Sequence, residues 1–269
     1  MKNIINNGNT KLILLHPYIQ KQTNPNRLYL IALVSVFTIV SLVTLVYTRE
    51  SFHTTTSATT TTTNHSPNHV PCNLLVFGLT AETLLWNALN HHGRTVFIDE
   101  NRYYAAYVEE KFPEIEVYDV QYTTKIKELK ELITSVREQT RNECRPVQNL
   151  LFSDCKIGLN DLPNQLYELD WDVILVDGPR GYWPEGPGSI SAIFTAGVLA
   201  RSKKGGNHKT HVFVHNNNRE VEKVSSEEFL CKENLVKSSK DLLAHFVVER
   251  VAEEDGGRNQ FCHNHPVAS

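Results

Sequence analysis

The sequence predicts an α/β protein with one mostly parallel sheet, preceded by a single transmembrane helix. Three observations predict it. From residue 72 onward, short β-branched runs alternate with amphipathic segments, the pattern of strands joined by crossover helices. Residues 28–47 contain no charge, no Gly and no Pro. Between these two regions, residues 51–70 carry eight Thr and three Ser, a composition that cannot bury a core.

Composition sets the broad class. Of 269 residues, 41% are hydrophobic and 21% charged. Those proportions exclude a collagen-like, coiled-coil, disulfide-dense or wholly disordered chain. The net charge of −3 argues against a nucleic-acid partner, which calls for a strong positive field. The charge is also uneven. Residues 1–27 hold Lys2, Lys11, Lys21 and Arg27 and no acid, leaving 23 of the 27 bases against all 30 acids in the remainder.

The elements follow in order. Residues 1–27 read as a cytosolic tail, 28–47 as the anchor, 48–71 as a luminal stalk, 72–251 as the globular domain and 252–269 as a flexible tail. The anchor spans roughly 30 Å as a helix, about one bilayer core. Tyr29 and Tyr47 sit near its ends, where aromatic rings favour the interface. The apolar region of a cleaved signal peptide is usually shorter. Bases precede the span and only Arg49, beside Glu50, follows it, which orients the N-terminus to the cytosol. Asn64-His65-Ser66, followed by Pro67, is the sole N-glycosylation sequon.

Within the domain, Leu74–Phe77, Thr95–Ile98, Val117–Val120, Val173–Val176 and His211–Val214 read as strands. Helices are expected over Glu82–Asn90, Arg102–Phe112, Thr124–Glu138, Ser189–Ser202 and Arg219–Phe229, with a late antiparallel strand over Leu242–Val248. Such an alternation favours a sheet covered on both faces, with ligands gathering at the carboxyl ends of the strands.

Those strand ends supply the candidates. Gly78 follows the first strand and serves either a tight turn or a close backbone approach to a ligand, with free N–H groups at the helix start. Asp99 and Glu100 end the second, where an acid can bind ribose hydroxyls. The fourth delivers Asp177 into the Gly/Pro loop with Arg180 and Tyr182. The fifth ends at His215, a candidate general base or metal ligand, followed by Arg219, which can pair with a carboxylate. Asp170-Trp171-Asp172 imitates the DxD of metal-dependent glycosyltransferases, but it precedes its strand, so we reject the match. Five Cys in an oxidising lumen allow two bridges with one left over, and Cys144–Cys155 is the preferred pair. No CxxC is present, which argues against zinc.

The run CRPVQNLLFSDCKIGLNDLPNQLYELDWDVILVDGPRGY, together with CNLLVFGLT, RTVFIDE, DVQYTT and SEEFLC, resembles the plant xylan-biosynthesis family that contains the glucuronoxylan 4-O-methyltransferases and the IRREGULAR XYLEM fifteen proteins. The long run is closer to the irregular-xylem branch. The resemblance covers nearly the whole domain. It implies a Rossmann-like, S-adenosylmethionine-methyltransferase-like fold and a Golgi type II protein of secondary-wall synthesis. In the methyltransferase branch the acceptor is the 4-hydroxyl of glucuronic acid on xylan. By position, Gly78 would approach the methionine portion of S-adenosylmethionine, and Asp99 or Glu100 its ribose. Asp177 and the loop through Tyr182 would face methyl group and sugar, and His215 would be the base. The family pattern has an acid after the fifth-strand histidine and Pro-Gly-Arg-Met after the loop. Here Asn216 and Ser189-Ile190 stand in those places. Two functions fit: a xylan or glucuronoxylan methyltransferase, and a non-catalytic Golgi component that supports xylan synthesis by binding, alongside other xylan-synthesis proteins.

Overall fold

The alternating segments fold into one seven-stranded sheet in a computed structural model that describes residues 71–239, 242–251 and 260–262. The strands are β1 (Leu74–Phe77), β2 (Thr95–Asp99), β3 (Glu116–Asp119), β4 (Val173–Val176), β5 (Lys209–His215), β6 (Leu235–Ser239) and β7 (Leu243–Glu249). The helices are α1 (Thr83–Leu89), α2 (Arg102–Lys111), α3 (Leu129–Gln139), α4 (Asn164–Glu168), α5 (Ile190–Arg201) and α6 (Glu220–Ser226). The anchor over 28–47, the sequon at Asn64 and most of the stalk and tail lie outside the described residues. Among the described residues no helix is long and apolar enough to cross a membrane.

The strand order is β3-β2-β1-β4-β5-β7-β6. β1 runs parallel to β2 and β4, β2 to β3, and β4 to β5. β7 is antiparallel to both β5 and β6. This mostly parallel, mixed sheet fits a Rossmann-like methyltransferase fold.

Period-two geometry divides the core between the faces of the sheet. Leu75 and Phe77 of β1 join Val96, Ile98, Ile174 and Val176 on the face that also packs α3 and α5. Leu74 and Val76 join Phe97 and Leu175 on the opposite face, against Ala105 and Val108 of α2. β1 and β2 are therefore buried at every position. Each apolar side chain among them contributes roughly 1.5–3 kcal/mol of burial. α3 buries Leu129, Leu132, Ile133 and Val136, the i, i+3, i+4, i+7 stripe of a one-sided helix. α5 is buried all round. Its Gly197 allows close approach, since a Cβ there would meet the Phe229 carbonyl at 2.9 Å.

Four differences from the sequence reading have local causes. The expected cover on both faces fails at β5 and β7, where burial alternates and His211, Phe213, His245 and Val247 are only half-buried. The helix expected from Thr124 begins as a 3-10 turn at Ile126 and becomes α3 at Leu129. There the Ile126 and Lys127 N–H groups donate to the Gly186 and Pro184 carbonyls at 2.9 and 3.0 Å. The last helix ends at Ser226 and continues as a π turn over Glu227–Cys231. Finally, the tail expected to be flexible is pinned at two residues. Phe261 and Cys262 are buried, Cys262 is bonded to Cys231, and the Arg201 guanidinium donates to the Phe261 carbonyl at 3.1 Å.

Cys144 and Cys155 form the other bridge, leaving Cys72 free. The acids of the rejected DxD serve the structure. Asp170 accepts from the Lys204 and Gly205 N–H groups, and Asp172 accepts from Asn73 N–H and pairs with the fully buried Lys203 ammonium at 2.8 Å.

Candidate functional site

Winding reverses between β1 and β4, because β1 leads outward to β2 and β3 while β4 leads to β5. Loops leaving such a switch point diverge and leave a crevice. Here the crevice is a cleft of about 320 Å³ whose wall includes Gly78, Asp99, Glu100, Asp177, Arg180, Tyr182, His215 and Arg219. The structure thus brings all eight candidate residues to one site.

Gly78 has φ +108°, and a Cβ on it would meet the Asp177 carbonyl oxygen at 2.8 Å. Gly178 is as restricted, since its Cβ would lie 2.8 Å from Gly78 Cα. The two glycines let the β1 and β4 loops touch backbone to backbone. Four N–H groups at this turn are bonded within the protein, as the tight-turn alternative has it. Gly78 N–H donates to Ile98 O, Leu79 N–H to Asp99 Oδ2, Thr80 N–H to Thr83 Oγ1 and Glu82 N–H to Thr80 Oγ1. Those donors are spent on β2 and on the turn itself, and α1 is only seven residues long.

Asp99 and Glu100 divide the work expected of either one. Asp99 is buried and accepts from Leu79 N–H and Asn101 N–H, both at 2.8 Å. Burial pushes its carboxyl above the usual range, against those two donors. Glu100 is half-buried, and its Oε1 accepts from Arg180 N–H at 3.2 Å. Asp99 therefore ties the β1 and β2 loops together, and Glu100 stands beside it with a second oxygen open to a hydroxylated ligand. Arg180 is exposed at the same rim, and its charge acts on Asp99.

Asp177 and His215, brought together from the ends of β4 and β5, are hydrogen-bonded through Oδ1 and Nδ1 at 2.5 Å. A carboxylate only accepts, so in the neutral ring the proton sits on Nδ1 and Nε2 keeps its lone pair. That nitrogen is the atom available to take a proton or to ligate a cation. Asn216 has φ +56°, a left-handed conformation that Asn tolerates, so the residue suits the turn while leaving the site one charge poorer than an acid would.

Arg219 is committed within the protein. Its Nη2 donates to Gly181 O at 2.7 Å, its guanidinium carbon lies 4.6 Å from the centre of the Tyr182 ring, and its Nη1 lies 3.7 Å from Glu222 Oε1. It therefore steadies the Gly/Pro loop in addition to lining the cleft. The far side of that loop is held by Thr124 Oγ1, which donates to Pro187 O at 3.2 Å. The cleft wall also includes residues that the sequence reading did not single out as site residues, among them Ser189, whose hydroxyl donates to Glu222 at 2.9 Å, and Glu222 itself. Neither carries a motif. Glu222 sits in the first turn of a polar helix and is buried there, an environment its own sequence neighbours do not announce.

Among the described residues, the one close cluster of metal-ligand types, Cys231, Glu233 and Cys262, has its two sulfurs joined in a disulfide and offers no thiolate.

Comparison with known proteins places this geometry in context. The chain is 57% identical to Protein IRX15-LIKE of Arabidopsis thaliana over 95% of its length and 94% of the relative's. It is 54% identical to Protein IRREGULAR XYLEM 15 of the same plant, over 97% and 96% of the two chains. Glucuronoxylan 4-O-methyltransferase 3, also from Arabidopsis thaliana, is 46% identical over 66% of this chain and 58% of its own. Residues 58–246 match the family described as IRX15/IRX15L/GXM. Every residue placed in the cleft above falls inside that match, and the chain belongs to the IRX15/IRX15L/GXM family.

Proposed function

We propose that this chain acts in xylan biosynthesis through a methyltransferase-like domain. In this reading the cleft takes S-adenosylmethionine on the Gly78–Glu100 side and a sugar of xylan or glucuronoxylan on the Asp177–Arg219 side. The names of the relatives support the process. The observation that carries the site reading is the Asp177–His215 hydrogen bond at the switch-point cleft.

The residues fit the cofactor. The Gly78–Gly178 contact leaves a wall without side chains, and Glu100 offers an open carboxylate oxygen to a diol. When bound, S-adenosylmethionine supplies a methyl group on a positively charged sulfur. His215 Nε2 would receive the proton of the attacking sugar hydroxyl, while Asp177 holds the ring and stabilises the imidazolium. The Gly/Pro loop, fixed by Thr124 and Arg219, sets the position of that hydroxyl.

A second reading, in which the domain binds without transferring, is favoured by two observations. Asn216 is neutral where the resembled pattern has an acid, and identity is higher to the relatives whose names carry no reaction. Calorimetry of the full chain in detergent micelles with S-adenosylmethionine, followed by labelled methyl transfer to glucuronoxylan, separates the readings. Under the first, the cofactor binds, and His215→Gln and Asp177→Asn keep that binding while transfer falls roughly 10²–10⁴-fold. Absence of heat overturns the cofactor reading. Binding without transfer by the unaltered chain selects the second.

We also place the protein in the Golgi membrane as a single-pass type II chain, anchored by residues 28–47 with its domain in the lumen. The charge-free span, the bases before it and two disulfides suited to an oxidising compartment support this.

A further inference from the structure

We propose that Trp183 is a stacking platform for a sugar unit beside the one held in the cleft, so that the protein grips a stretch of β-linked polysaccharide chain. The inference rests on reading the cleft as a sugar site and extends that reading along the polymer.

Tyr182 and Trp183 are consecutive, and they are 71% and 51% exposed. Tyr182 belongs to the cleft wall, and Trp183 stands just outside it. Two large aromatic rings left in water forgo the burial that such rings usually gain. A slack loop would fold them inward; this one is held. Its ends meet at the base, where a Cβ on Gly181 would lie 2.8 Å from Gly188 Cα. On one flank Lys127 N–H donates to Pro184 O at 3.0 Å and Ile126 N–H to Gly186 O at 2.9 Å. Within the loop Gly186 N–H donates to Trp183 O at 2.9 Å. The indole is seated on that turn, since a Cβ on Gly186 would come within 3.3 Å of Trp183 Cε2. The Tyr182 ring is placed by the Arg219 guanidinium, 4.6 Å from its centre. Both rings are therefore displayed in set positions with surface left open, so a ligand binds them at little cost in ordering.

Continuity with the cleft says what covers them. A polymer continues past the unit that reacts, and the rim beyond Tyr182 is where Trp183 meets the next one. A β-linked pyranose carries axial C–H groups on its faces, a flat and weakly positive surface that matches the negative face of an aromatic ring. A lipid surface seated on Trp183 would also cover neighbouring Tyr182 and close the mouth of the cleft to the acceptor.

Ligand-observed NMR on the full chain in detergent micelles, with xylobiose and xylohexaose as probes, tests this. We expect xylohexaose to bind about tenfold tighter than xylobiose. Trp183→Ala should weaken xylohexaose roughly tenfold, the upper range of one aromatic contact, with far less effect on xylobiose. Trp183→Phe, which keeps a flat ring, should restore most of the loss. Fluorescence supplies a readout that a merely structural role would not move. Of the three Trp, Trp171 is 1% exposed and Trp86 half-buried. The iodide quenching that disappears in Trp183→Phe therefore reports on Trp183, and xylohexaose should suppress it. Unchanged xylohexaose binding in Trp183→Ala, or equal loss of both probes, overturns the proposal. So does xylohexaose binding no tighter than xylobiose in the unaltered chain. Iodide protection of Trp183 before any sugar is added would assign the ring to lipid and overturn it too. Xylobiose binding and cofactor calorimetry on the unaltered chain report on the cleft itself, so failure of the cleft reading is not mistaken for failure of the platform.

Discussion

At Gly78 the chain must hold φ +108° while its Cα lies against the Asp177–Gly178 peptide. Any side chain there has both a backbone conformation and a wall of main-chain atoms against it. Gly78→Ala should cost about 1–3 kcal/mol, read as a lowered urea midpoint at unchanged slope. A midpoint matching the unaltered chain would remove the argument that this glycine sets the approach of the two loops. The same contact explains why one glycine sufficed to mark the site in the sequence. Position after a strand was legible, but the partner backbone, 99 residues on, was not. Asp99 makes the related point. Its place at a strand end identified it, yet only the fold shows that both its oxygens are already bonded to the loops and that Glu100 is the freer acid.

At the scale of elements, buried central strands and crossover helices were read from the sequence because β1 is apolar throughout and β2 carries Val96, Phe97 and Ile98 in succession. β6 was not, since LVKSS at a sheet edge has neither alternation nor a continuous apolar run. The β5–β7 pair adds a pH dependence. His211 Nδ1 and His245 Nε2 are 2.9 Å apart, and the His245 ring lies 4.4 Å from that of Phe213. Burial, and then the neighbouring His211, lower the His245 pKa below its ordinary 6.5. As pH falls through 6.5 the unfolded chain gains a proton that the native one resists, so stability is present above that pH and is lost below it. Urea unfolding at pH 7.5 and 5.5 should show a drop that shrinks in His245→Gln. An equal drop in both proteins would assign the loss to other groups.

For the whole molecule, charge asymmetry and one apolar run suggest an orientation, and the two disulfides agree with it. Protease treatment of intact microsomes should spare the domain and remove only the short basic tail. Digestion of the domain without detergent would place it in the cytosol and overturn the type II assignment. The sequence by itself determined the five parallel strands, the crossover helices flanking them and the residues at the strand ends, and made Cys144–Cys155 the preferred bridge, because these depend on short-range periodicity, spacing and composition. Tertiary structure alone decided that Asp177 orients His215, that Arg219 is held by Gly181, and that Cys262 returns to Cys231. The first two pairs are each 38 residues apart and the third 31, and the first two meet only because the sheet sets β4 beside β5, so that the segments following them converge at one edge.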